Sequence, residues 1–130
     1  MKIGEVSKKV GLSQDTLRFY ERVGLISPVN RNASGYRDYT EADLRWVEFI
    51  KHMRGAGLPI EVLIEYVSLV MEGDETIETR KAILEGQREL LAERIKAMQR
   101  TMLLLDYKIR IYEGAVLKTE KALVQASEPV

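Results

Sequence analysis

The apolar positions of this chain change rhythm once, near residue 76. Before that point, short apolar groups recur at spacings of three and four and are repeatedly broken by turn formers. Ile3, Val6 and Val10 predict a first helix, with Gly11 as its left-handed stop. Ser13 is placed to cap a second helix, in which Leu17, Tyr20 and Val23 repeat the spacing until Gly24 ends it. Pro28 then blocks further helix. Asn32-Ala33-Ser34-Gly35 predicts a tight turn, and Tyr36 and Tyr39 suit a strand returning from it, so a small two-stranded wing is expected here. Thr40 and Asp43 have the spacing of a capping box. Leu44, Val47, Phe49, Ile50 and Met53 carry a third helix to about Arg54. Gly55-Ala56-Gly57 breaks it. Pro59 is expected as the first residue of a fourth helix through Val62, Leu63, Tyr66, Val67 and Val70, which Gly73 ends.

From residue 76 to residue 116 there is no proline, and glycine occurs only at positions 86 and 114. Leu84, Leu91, Met98, Leu105 and Tyr112 fall at intervals of seven, and Arg88, Ile95, Met102, Ile109 and Val116 fall four after each. Nine of these ten positions are apolar, which makes a sustained heptad seam. From Leu84 to Val116 the helix would run roughly 50 Å at the standard rise. A lone helix of that length has no core of its own, so its seam calls for a partner. A second copy of the chain is the commonest supplier. The seam alone leaves parallel and antiparallel pairing open. The expected architecture is mainly α: a winged helix-turn-helix domain over residues 1–75 with a small β wing, a coiled-coil dimerisation helix over 76–116, and a polar tail over 117–130.

Net charge changes this picture only when the chain is divided. The total is zero, but residues 1–58 hold ten Lys/Arg against seven Asp/Glu, a net of +3, and the remainder carries −3. A basic front half suits a surface that meets phosphate. The chain has no cysteine, which excludes disulfides, thiolate metal sites and thiol redox switches. No apolar run is long enough to span a bilayer and the N-terminus does not read as a signal peptide, so a cytoplasmic protein is expected. The single histidine, His52, lacks companions for a metal site and is expected at a solvent edge. No cofactor is expected, and no catalytic set emerges.

In a helix-turn-helix the second helix enters the major groove and its first residues reach base edges. Here those are Ser13, Gln14 and Thr16, with Gln14 able to pair with adenine. Asp15 is at odds with phosphate and is better read as complementing its own helix dipole. Arg18 and Tyr20 lie further along, where side chains meet backbone oxygens. Such contacts give affinity and register but carry no sequence information. Tyr36 and Arg37 flank the wing turn. Because successive strand residues face opposite ways, one reaches outward while the other braces the hairpin. Trp46 and Phe49 are read as core. The seam positions Leu84, Leu91, Ile95, Met98, Met102, Leu105, Ile109 and Tyr112 are the expected dimerisation surface.

The order IGEVSKKVGLSQDTLRFYERVGLI, then RNASGYRDYTEADL, then FIKHMRGAGLPIE, then a long terminal helix resembles the MerR family of bacterial transcription regulators. The resemblance is strong over residues 1–75. It implies a homodimer joined by antiparallel long helices, which binds a pseudo-palindromic operator inside an over-long promoter spacer. Bending and untwisting that DNA lets RNA polymerase engage both promoter elements. By matching position, the resemblance makes Arg18, Tyr20, Tyr36, Arg37 and Arg54 backbone contacts. The FIKHMRGAGLPIE segment is most similar to a short subgroup that responds to aldehydes or other electrophiles through a cysteine in the third helix. His52 stands at that position here, so thiol addition is excluded. An effector, if the chain has one, is expected between the coiled coil and the winged domain.

Two other functions compete with a sequence-specific DNA-binding regulator. One is a coiled-coil protein-interaction module with a vestigial helix-turn-helix, which the zero total charge favours. The other is a small-molecule-binding protein. The basic front half and the complete wing motif weigh against both.

Overall fold

The computed structural model describes residues 1–114 together with Lys121, Leu123 and Val124. Among the described residues, five α-helices are named in order, α1 Ile3–Val10, α2 Gln14–Val23, α3 Glu41–Gly55, α4 Ile60–Glu72 and α5 Ile77–Tyr112, with a 3-10 turn at Asp74–Thr76 before α5.

Local chemistry sets most of these boundaries. α1 stops where Gly11 turns left-handed at φ 69°, with its N–H donating to the Ser7 carbonyl. The Ser13 hydroxyl then accepts the Thr16 N–H at 3.1 Å and opens α2. Gly24 closes α2 at φ 88°. At α3 the capping box is complete: the Thr40 hydroxyl accepts the Asp43 N–H at 3.1 Å, and the Asp43 carboxylate accepts the Thr40 N–H at 2.9 Å. Pro59 lies one residue earlier than expected, as the N-cap of α4 rather than its first helical residue. The two positions differ by a single residue, within the usual spread of helix boundaries.

One core unites the first four helices. Val6 and Val10 of α1, Leu17 and Tyr20 of α2, Val47 and Ile50 of α3, and Leu63 and Val67 of α4 are all buried. The connecting residues Leu25, Ile26, Val29, Tyr39 and Leu58 are buried with them. Each such side chain contributes about 1.5 to 3 kcal/mol from burial. Trp46 and Phe49, expected in the core, lie at its edge. They are partly buried and form a ring cluster with Tyr66, with centroids 5.8 to 6.2 Å apart.

The wing is slighter than expected. Among the described residues there is no named strand, only a single antiparallel bridge between Arg31 and Arg37. Two diversions stop the ladder. At the tip, the Asn32 side-chain oxygen accepts both the Ser34 and Tyr36 N–H groups, while Gly35, at φ 84°, donates to the Asn32 carbonyl. At the base, Pro28 has no N–H to extend the ladder, and the outward-facing Val29 and Tyr39 N–H groups tie the wing elsewhere, to the Glu21 carboxylate and the Met1 carbonyl. The sequence contains the right turn, but at the tip the Asn32 side chain takes the Tyr36 N–H that a second bridge would need.

Compact packing divides the chain at Arg88, with one unit running from Met1 to Arg88 and a second beginning at Glu89. α5 is 36 residues long, about 54 Å at the standard rise, and has no buried residue. The last expected seam position, Val116, lies outside the described residues, as does the expected tail 117–130 apart from Lys121, Leu123 and Val124.

Candidate nucleic-acid interface

The start of α1, the side of α2 and the wing enclose an open cleft of about 640 Å³. Lys2, Ile3, Gly4 and Glu5 line it from α1, Arg18 from α2, and Arg31, Asn32, Ser34, Tyr36 and Arg37 from the wing. Four cations thus share one concavity with a single carboxylate. Elements distant in sequence have been folded into one basic surface, which is the requirement for holding a polyanion.

The expected contact residues occupy different settings within it. Ser13 and Thr16 are tied to each other, with hydroxyls 2.9 Å apart and the Ser13 oxygen already capping α2. Gln14 and Asp15 are exposed at the front of α2. Both reach back to Arg18, which donates to the Asp15 carboxylate at 3.0 Å and to the Gln14 amide oxygen at 3.3 Å. Free Arg18 is therefore oriented along the helix face. The exchange needed to turn it onto a phosphate is cheap, because an ion pair this exposed is worth at most about 1 kcal/mol.

On the wing the strand alternation resolves as two distinct roles. Tyr36 is 71% exposed and points outward. The next residue, Arg37, turns back: its Nε donates to Glu21 Oε1 at 2.6 Å. Burial pushes the Glu21 carboxyl up. The hydrogen bonds from Arg37 and the Val29 N–H, with the charges of Arg37 and Arg31, outweigh that and hold it below its ordinary value.

Two residues carried over from the resemblance do not join the cleft. Tyr20 is only 6% exposed, because the same helical spacing that makes Leu17 a core residue turns Tyr20 inward. Burial raises its phenol, against the opposing charge of Arg54. The body of its ring is a core element. Arg54 is exposed in the last turn of α3, and its Nη1 donates to the Leu58 carbonyl at 3.0 Å. His52 is exposed on the same helix.

Sequence reasoning overlooked Lys2, Arg31 and Asn32. A signal for Arg31 was present: in the segment RNASGYR the two arginines flank the turn symmetrically, so a hairpin pairs them. The pairing is what the bridge shows.

The second candidate surface is the seam of α5. Met98 is 69% exposed and Leu105 is 58% exposed, and Leu84, Ile95, Met102, Ile109 and Tyr112 are exposed as well, with Leu91 half-buried. Leu90, Leu103, Leu104 and Tyr107, outside the heptad positions, are exposed too. No helix among the described residues is long and apolar enough to cross a membrane, so this surface is not explained as a bilayer span.

Known proteins with related sequences fall in line with this geometry. A family model described as MerR HTH family regulatory protein matches residues 1–69, and one described as MerR, DNA binding, matches residues 44–106. The chain is 59% identical over 93 residues to the HTH-type transcriptional regulator AdhR of Bacillus subtilis (strain 168), a segment that makes up 72% of this chain and 66% of AdhR. Among solved structures, a Listeria monocytogenes chain assigned to the MerR family of transcriptional regulators is 45% identical, with a TM-score of 0.88 over 96% of this chain and 95% of that one. HiNmlR, a MerR family regulator lacking the sensor domain and solved bound to promoter DNA, is 30% identical, with a TM-score of 0.79 over 86% of this chain and 89% of that one.

Proposed function

Because this chain belongs to the MerR family of helix-turn-helix transcriptional regulators, we propose that it binds duplex promoter DNA as a homodimer and acts by distorting it. The observation that carries the reading is the basic cleft between α1, α2 and the wing. Its cations match a phosphate backbone, and the exposed front of α2, led by Gln14, is the part that faces a major groove.

In this account Lys2, Arg18 and Arg31 take phosphates, with Tyr36 reaching outward beside them. Gln14 reads base edges, while Ser13 and Thr16 mainly hold the helix start in position. Arg37 and Tyr20 serve the fold of the interface more than its contacts. Arg54, off the cleft, is assigned to the backbone only at its margin.

The apolar seam of α5 supplies the second copy. Pairing would bury Ile95, Met98, Met102, Leu105 and Ile109 and set two winged domains at a fixed separation. Two linked domains can load strain into the DNA between their half-sites, which one domain cannot. Bent and untwisted promoter DNA would then present both promoter elements to RNA polymerase, placing the work in the cytoplasm. The protein needs no cofactor for this mechanism. A small-molecule effector remains compatible with it.

The test is binding to the DNA upstream of its own gene, measured across salt concentrations. The expected result is specific binding whose logarithm falls linearly with the logarithm of salt, with a slope reflecting several phosphate contacts. Absence of duplex binding, or affinity insensitive to salt, would reject the reading.

A further inference from the structure

We infer that Glu21 is the positioning residue of the wing: its carboxylate, not a β-ladder, fixes how the wing stands against α2. The inference rests on the DNA-binding reading above and concerns how that site is held in shape.

The wing has one bridge of its own, which fixes its two arms to each other and leaves their attachment to α2 to other groups. Glu21 lies near the end of α2 and spans that gap with both oxygens. Oε1 accepts Arg37 Nε at 2.6 Å, from the returning arm, and Oε2 accepts the Val29 N–H at 2.9 Å, from the outgoing one. One side chain therefore grips both arms at their base. The Glu21 side chain is 14% exposed and that of Arg37 22%, so the pair is largely shielded from water and competing ions. Removing one partner leaves the other charge poorly solvated, which makes the tie stiffer than a surface ion pair.

The groups that depend on this tie are the wing's DNA-facing side chains, Arg31 and Tyr36. Neither touches Glu21 by hydrogen bond. Arg31 donates to the Gly35 carbonyl at 2.9 Å within the wing tip, so the tip moves as a body. Glu21 then acts at a distance: it aims the tip so that the wing and α2 engage the same duplex together. Arg18 and Gln14, on α2 itself, do not depend on it.

The decisive experiment is hydroxyl-radical footprinting of wild-type protein and Glu21→Gln on the upstream promoter, with affinity measured across salt. Glutamine keeps the size of the side chain and an acceptor for Val29, and loses the charge that holds Arg37. The expected result is a loss of protection under the wing with protection under α2 kept, about a tenfold weaker affinity, and a salt slope reduced by about one to two contacts. Arg37→Gln should reproduce this, and the double variant should be no worse than either single one. It also serves as the second route if Glu21→Gln does not fold.

Two outcomes overturn the inference alone. One is a variant footprint and slope equal to wild type. The other is equal loss of protection under wing and helix, the signature of general destabilisation. Wild-type protein that protects no duplex overturns the functional reading, and this inference with it.

Discussion

The winged domain and the long helix are built from similar fractions of apolar residues but spend them in opposite ways. In the first, thirteen hydrophobic residues from four helices and their connections are buried together. In the second, α5 presents a comparable set to water and buries none of its residues. The contrast separates a part that closes its own core from a part whose apolar face is the proposed pairing surface. The winged domain closes its own core. α5 has no buried side chain to support it, and helix propensity without tertiary packing is marginal, which is the ground for the proposed pairing.

The sharpest way to break this contrast is to charge the seam. Leu105→Glu combined with Ile95→Glu should abolish dimer formation in sedimentation velocity, while near-ultraviolet circular dichroism from the winged domain stays in place. A dimer that survives both changes would put the pairing surface elsewhere, for example on Leu90 and Leu104.

The complementary change attacks the domain core. Leu17 is fully buried, and Leu17→Ala should cost about 2 to 5 kcal/mol in denaturant unfolding. A cost below about 1 kcal/mol would mean that the core is less tightly closed than its burial implies.

A smaller effect separates contact residues from framework. Arg31→Ala should weaken binding to all duplex sequences alike and lower the salt slope by about one. Tyr20→Phe, inside the core, should leave the slope unchanged. A sequence-selective loss at Arg31 would make it a base reader instead.

The smallest expected effect is in acid. Glu21 has its carboxyl held below its ordinary value of 4.5 in the folded state. As pH falls, the unfolded chain takes up that proton first. The stabilisation from this group is complete above the ordinary value and is lost as pH drops through the lowered one. The melting temperature of Glu21→Gln should therefore show a shallower fall than wild type over that interval. Parallel curves would remove Glu21 as a source of acid sensitivity.

Legibility in the sequence followed the range of the interactions. Gly11, Ser13, Gly24 and the Thr40–Asp43 box act within a few residues, and the helix boundaries they imply agree with the structure to within a residue. The seam was equally plain, because a heptad repeats its message many times. What escaped were features made by distant partners. The ties that hold the base of the wing to Glu21 and Met1 are not visible in the segment Asn30 to Tyr39. Tyr20 was read both as a helix-period apolar position and as a DNA contact; burial favours the first. Lys2 and Arg31 entered the cleft only when α1 and the wing were brought face to face.

The comparison between the two regions meets in one number, the count of chains on one operator. Sedimentation velocity of the protein with a fluorescent upstream duplex reads it directly, since each chain adds 14.9 kDa. The account expects two chains per duplex for wild type, and loss of that complex in the seam variant while its winged domain remains folded. A tight, specific complex holding a single chain would contradict it.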